Sequence, residues 1–257
     1  MKILILGAGK MGKFLSDALC IEHDVALFDT EIERLRFALN ALRFSKLEEV
    51  RDFAPELVIN ASTLKYTISA FEMALPYLPE NCMLSDIASV KTGLPEFYAK
   101  VGRRFVSTHP MFGPTFANLN NLSEHNTIII SESDGMGKAF FRDFYRSLSL
   151  NIFEYSFVEH DETIAYSLSI PFASTLVFAS VMKKQEAPGT TFKKHMDIAR
   201  GLLSEDDYLL SEILFNPFTP EQVDKILEKL TYLQGIIKEK NTGKMQAFLG
   251  EVRENIK

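Results

Sequence analysis

Apolar residues recur along this chain with two different periods, and the switch from one to the other divides it. Up to about residue 155, short apolar runs alternate with stretches in which apolar positions return every three or four residues. The runs have the length and composition of strands buried on both faces; the longer period is that of amphipathic helices. Strands are predicted at residues 2–6, 25–28, 56–60, 83–86, 104–108, 127–131 and 151–155. Helices are predicted between them at 13–19, 31–42, 47–52, 66–78, 93–101 and 135–148. Such alternation builds an α/β domain on a doubly wound, mostly parallel sheet. Beyond residue 156 only the helical period remains, at 158–184, 191–203, 205–215, 220–238 and 244–255, with a kink expected at Pro171. Two domains follow: residues 1–155 around the sheet, and residues 156–257 all helical.

The first strand runs into Gly7, Ala8, Gly9, Lys10, Met11 and Gly12, and a helix continues from Lys13. Glycines at G-x-G-x-x-G spacing between strand and helix serve a tight turn, close approach of backbone to a pyrophosphate, and close packing of helix on strand. The free N–H groups at the start of that helix favour an anion. The second strand leads to Asp29, 20 residues after Gly9, where a carboxylate accepts hydrogen bonds from an adenosine ribose. Residues 1–155 therefore read as a Rossmann-type dinucleotide-binding domain. No arginine follows Asp29 before Arg34, so a ribose 2′-phosphate would meet unpaired negative charge. NAD is expected over NADP.

Charge and cysteine content narrow the remaining classes. The net charge is −6 with no basic block, which excludes a nucleic-acid partner and leaves an anionic substrate to be held by local cations. Cys20 and Cys82 lack metal-ligand spacing and read as thiols in a reducing cytoplasm; no metal site is expected. The chain opens directly on a strand, so no signal peptide is expected. Residues 164–182 are apolar enough to raise the question of a membrane span, but Ser167, Ser169, Pro171, Ser174, Thr175 and Ser180 interrupt them. A helix buried in a protein interior is the expectation.

In a doubly wound sheet, ligands sit beyond the carboxyl ends of the strands. The loops at residues 7–12, 61–63 (Ala61, Ser62, Thr63), 87–91 and 108–114 should converge there. They hold one histidine, a lysine and several hydroxyls, a set suited to hydride transfer, in which a base takes an alcohol proton. His109, directly after a strand, is the natural base near neutral pH. Ser89, after a neighbouring strand, can bridge that base and a substrate hydroxyl; it can equally cap the helix expected near Thr92. Lys91 faces either the nicotinamide or the substrate. His160 and Asp161 read as structural, Asp161 favouring the dipole of the helix it opens.

Residues 107–114, STHPMFGP, together with residues 86–93, DIASVKTG, resemble the prephenate/arogenate dehydrogenase family of tyrosine biosynthesis. The first stretch is especially similar to the plant-type arogenate enzymes. His160-Asp161, followed by Ala165 and a long helix, is similar to that family's passage into its helical dimerisation domain. The resemblance implies NAD(P)-dependent oxidative decarboxylation of prephenate to 4-hydroxyphenylpyruvate and CO2, and the chain is expected to do this with NAD as a cytoplasmic homodimer. It implies His109 as the base hydrogen-bonded to the ring hydroxyl, assisted by Ser89, with Gly7, Gly9 and Gly12 on the pyrophosphate. It also implies a cation, usually arginine, on a later helix for the side-chain carboxylate; Lys193, Lys194, His195 and Arg200 of TFKKHMDIAR compete for that role and with a solvated-face reading, with Lys193, Lys194 and Arg200 preferred. One departure stands out: where many members carry a second substrate-contacting histidine, this chain has Phe172. Arogenate, giving tyrosine directly, is the alternative substrate. Other readings are a 3-hydroxy acid or imine dehydrogenase, which normally uses a lysine of the helical domain and lacks HPMFGP, and a non-catalytic NAD-binding protein.

Overall fold

The computed structural model describes residues 1–113, 121–183 and 185–257, apart from the side chain of Phe37. Pro114, at the end of the STHPMFGP stretch, and Lys184, the expected end of the long helix, lie outside the described residues. Eight strands form one sheet: β1 (Lys2–Leu6), β2 (Asp24–Phe28), β3 (Leu42–Phe44), β4 (Leu57–Asn60), β5 (Met83–Asp86), β6 (Phe105–Pro110), β7 (Asn126–Ile130) and β8 (Asn151–Tyr155). Their order is β3-β2-β1-β4-β5-β6-β7-β8, and every pairing is parallel except β6 with β7. The chain leaves β1 towards β2 and β3, then returns to β4 on the other side. The crevice of a doubly wound sheet opens at that reversal.

Successive side chains of a strand point to opposite faces, and β1 shows why both faces must be covered. Ile3 and Ile5 join one core with Leu15 and Leu19 of α1 (Lys10–Leu19) and Phe141 and Tyr145 of α5 (Gly135–Ser147). Leu4 and Leu6 join a second core with Val50 and Phe53 of α2 (Glu48–Phe53), Phe71 of α3 (Thr67–Ala74) and Phe97 and Tyr98 of α4 (Leu94–Val101). Leu15 and Leu19 are almost fully buried, a gain of about 1.5–3 kcal/mol each, which fixes α1 on the sheet despite the absence of a side-chain cap.

Three local expectations change. Residues 31–42 do not form one helix: a 3₁₀ segment covers Ile32–Phe37 and β3 follows at the sheet edge. The expected helix at 66–78 is α3 flanked by 3₁₀ turns at Leu64–Tyr66 and Leu75–Tyr77. Strand β6 runs on through His109 to Pro110, because Thr108, His109 and Pro110 pair with Ile129, Ile128 and Thr127 of β7.

Two compact units are present, Met1–Asp161 and Glu162–Lys257, and the division falls inside α6 (Phe157–Ile164). The second unit holds a π-helical segment (Ala165–Ser169), α7 (Ile170–Val181), α8 (Thr190–Leu202), α9 (Asp207–Leu214), α10 (Thr219–Glu239) and α11 (Thr242–Asn255). The π segment explains the fate of Pro171. A proline in a helix offers no N–H and crowds the carbonyl four residues back, and the widened turn just before it makes room. Ser169 is buried there, donating to the Ile213 carbonyl and accepting from Thr219.

The expectation of a helix buried in the interior is not met within one chain. Helix Phe157–Val181 has the length and mean hydropathy (1.6) of a membrane-crossing segment, yet α7 contains no buried residue. The unit leaves it uncovered. Its buried apolar side chains are Ile164, Ala165, Ala199, Leu210, Ile213 and Ile236, while Val177, Val181, Ile198 and Phe215 are exposed.

Candidate active site

Backbone geometry makes the glycine loop. Gly7 has φ +99°, and a Cβ there would lie 2.7 Å from the Ala61 carbonyl oxygen, so only glycine fits where the loop passes the end of β4. A Cβ on Gly12 would fall 1.9 Å from the Gly7 carbonyl oxygen, which shows how tightly α1 is drawn onto the turn. Gly9 differs, since a Cβ there would meet nothing within 4 Å. It caps α1 without a side-chain bond and with no acidic residue in the first turn. The space in front of it, facing N–H groups that have no intrahelical acceptor, fits the pyrophosphate of a dinucleotide.

Beside the loop lies a cleft of about 390 Å³ lined by Gly7, Gly9, Asp29, Arg34, Ser62 and Tyr66, among others. The Asp29 carboxylate accepts from the Ala8 N–H at 2.7 Å and the Glu31 N–H at 2.8 Å. It therefore ties the glycine loop to the end of β2 while keeping lone pairs for a ribose. Arg34 does line the cleft, but its guanidinium is paired with Glu31 at 2.8 Å. Ser62 donates to Asn60, whose amide in turn donates to the Thr67 carbonyl; this fixes the 61–63 turn.

His109 stands on the same carboxyl edge of the sheet, at the end of β6. It is 6% exposed. Its Nδ1 is 3.0 Å from Nε2 of His160, and Nδ1 of His160 is 3.0 Å from Oδ1 of Asp161. Burial, then the adjoining His160 ring and the Lys91 ammonium, hold the His109 ring well below the usual imidazole range. The ring is neutral at physiological pH and able to accept a proton. His160 is likewise lowered, to about 3, chiefly by burial.

Lys91 is placed differently from a substrate contact. Its ammonium is buried, 2.6 Å from Oδ1 of Asp86 and 2.7 Å from the Thr108 carbonyl. Tyr98 donates to the other Asp86 oxygen at 2.7 Å. Removing one partner of such a pair leaves an uncompensated buried charge, so the cluster locks the end of β5 to the residue preceding His109. Ser89 is half-buried in the turn after β5. It does not cap α4, whose N-cap is Gly93. In the second unit, Lys193, Lys194 and Arg200 are all exposed on α8, and Arg200 pairs with Asp197 at 2.8 Å. From the sequence His160 reads as structural, yet the structure buries it beside His109. The adjacent His-Asp pair was the signal, and burial gives it meaning.

A family model described as "Prephenate dehydrogenase, nucleotide-binding domain" matches residues 18–149, just over half of the chain. A "Probable arogenate/prephenate dehydrogenase" from Methanocaldococcus jannaschii is 22% identical over 202 residues, 72% of this chain. This chain covers 44% of that relative's length. Among solved structures, prephenate dehydrogenase from A. aeolicus, in complex with hydroxyphenyl propionate and NAD+, superposes with a TM-score of 0.85 at 19% identity. That match covers 99% of this chain and 96% of the other. Synechocystis arogenate dehydrogenase gives a TM-score of 0.76 at 16% identity, covering 99% and 98%.

Proposed function

We infer the function from one premise: this chain belongs to the prephenate dehydrogenase family. It catalyses the NAD-dependent oxidative decarboxylation of prephenate to 4-hydroxyphenylpyruvate in tyrosine biosynthesis. The observation that carries the reading is His109, a buried, neutral imidazole on the strand edge that also bears the glycine cradle. Bound NAD+ supplies the acceptor for the electron pair and proton that leave the ring carbinol carbon. Gly9 and the opening N–H groups of α1 would hold its pyrophosphate, and Asp29 would accept from the ribose hydroxyls. Asp29 and Glu31 repel a 2′-phosphate while Glu31 engages Arg34, which supports NAD over NADP.

His109 takes the hydroxyl proton as the carbinol carbon is oxidised, and the ring carboxylate leaves as CO2 because the product is aromatic. Ser89 bridges base and hydroxyl. Lys91 acts through position, holding β5 and β6 together behind His109. Residues 1–155 carry the nucleotide, and residues 156–257 carry the anchoring cation among Lys193, Lys194 and Arg200. The exposed apolar side chains of that second region support a homodimer that covers them with a second copy, and the free thiols Cys20 and Cys82 suit a reducing cytoplasm. Phe172, which cannot donate a hydrogen bond, bears on the choice between prephenate and arogenate.

Initial rates with prephenate and arogenate, each with NAD+ and NADP+, test the reading. The expected result is the highest kcat/KM for prephenate with NAD+. A higher value for arogenate moves the substrate, a higher value with NADP+ moves the nucleotide, and no turnover of either acid removes the activity.

A further inference from the structure

A carboxylate can only accept hydrogen bonds, whereas a neutral imidazole carries one N–H and one acceptor nitrogen. Applied to the chain Asp161–His160–His109, whose two imidazoles are buried, this leaves one arrangement. Oδ1 of Asp161, 3.0 Å from Nδ1 of His160, requires the proton of His160 on Nδ1. Its Nε2 is then an acceptor. The Nδ1 of His109, 3.0 Å away, must donate to it. A single carboxylate thereby dictates that Nε2 of His109 is unprotonated.

We propose that Asp161 and His160 are positioning residues for the reaction: they hold His109 as the Nδ1–H tautomer, leaving Nε2 to take the substrate proton, and they accept a share of the positive charge that results. The proposal rests on His109 being the base, and it deepens that reading. The proton leaving the substrate hydroxyl binds Nε2 of His109. The cation so formed is stabilised through the Nδ1–H bond to His160 and, beyond it, by the negative charge of Asp161.

The charges packed around the rings show why this help is needed. The Lys91 ammonium opposes a cation on either ring. Asp86 is negative, but its oxygens already serve Lys91, Tyr98 and the Ala88 N–H. Asp161 is the carboxylate bonded along the line of the two imidazoles, and it comes from a different element, α6. Burial pushes its carboxyl up to about 6, against the pull of Lys91. As pH falls through that value Asp161 takes up a proton, ceases to demand a donor from His160, and releases the tautomer. Activity carried by the ionised form is lost in the same interval.

The test reads the tautomer directly. Long-range ¹H–¹⁵N correlation spectra of histidine-labelled protein resolve which ring nitrogen is protonated, and with five histidines in the chain single His→Gln variants give the assignments. At pH 7.5 His109 is expected to be protonated on Nδ1, and in Asp161→Asn the Nε2–H form is expected to appear. An Nε2–H His109 in the parent, or no change in Asp161→Asn, overturns the proposal. No substrate is present, so this result is independent of which acid the enzyme turns over. In steady-state kinetics Asp161→Asn is expected to lower kcat by about 10²-fold or more with KM little changed, the pattern of a lost tautomer-setting carboxylate. The acid limb of kcat near pH 6 should disappear with it. A fall in kcat with that limb unmoved marks a merely structural role and also overturns the proposal.

Discussion

Replacing His109 by asparagine is expected to lower kcat by about 10²–10⁴, the usual worth of a positioned general base, with NAD+ affinity unchanged. Asparagine is the informative choice because its amide keeps a donor for Nε2 of His160 while offering no group that binds a proton. The size of the effect follows from the setting of the imidazole. It sits in a strand paired on both sides of the ladder, behind a buried Asp86–Lys91 bond that ties the preceding carbonyl in place. Because burial, the adjoining His160 ring and the Lys91 ammonium hold its pKa well below the ordinary value, the parent imidazole is already deprotonated at neutral pH. Steady-state rates from pH 6 to 9, with NAD+ affinity measured by fluorescence titration, check this; unchanged turnover removes His109 from the mechanism.

Gly12→Ala and Gly9→Ala are expected to fail for opposite reasons. A methyl group on Gly12 would overlap the Gly7 carbonyl oxygen, 1.9 Å from the Cβ position, and both atoms belong to rigid backbone. Helix α1 must then move off β1, at a cost of about 3 kcal/mol or more, the upper range for overpacked sites. Both thermal stability and nucleotide affinity should fall. At Gly9 a methyl group touches nothing in the protein, so the fold should keep its melting temperature. Affinity for NAD+ should nevertheless drop by about tenfold or more, equivalent to 1.4 kcal/mol or more, because the methyl group occupies the space assigned to the pyrophosphate. Thermal melts and titrations of the two variants side by side decide the point. A Gly9→Ala protein that binds NAD+ normally would place the pyrophosphate elsewhere.

Much of this was legible in the sequence because it is local. The strand–glycine–helix unit at residues 2–19 follows from an apolar run, three spaced glycines and a 3.6-residue period, all within one short stretch. Features that depend on distant partners were not legible. Strand β3 is three residues at a sheet edge, and only its pairing with Ala26, Leu27 and Phe28 makes it a strand. His109 looks like a loop residue until β7 arrives antiparallel beside it. Lys91 reads as an available cation, yet the fold turns it inward onto Asp86 and the Thr108 carbonyl. His160 is 51 residues from His109 in the chain, and no spacing rule links them. The exposed apolar surface of α7 reverses an expectation of burial for the same reason: hydropathy states that a face needs covering, not what covers it.

The central claim is that the imidazole at the end of β6 accepts the ring hydroxyl proton of a cyclohexadienol oriented by a bound dinucleotide. A crystal structure with NAD+ and 4-hydroxyphenylpyruvate tests it most directly. Nε2 of His109 is expected within about 3 Å of the product's ring hydroxyl, with Nδ1 still on His160. A product hydroxyl bonded to some other group, with Nε2 of His109 turned away from the nicotinamide, would contradict it.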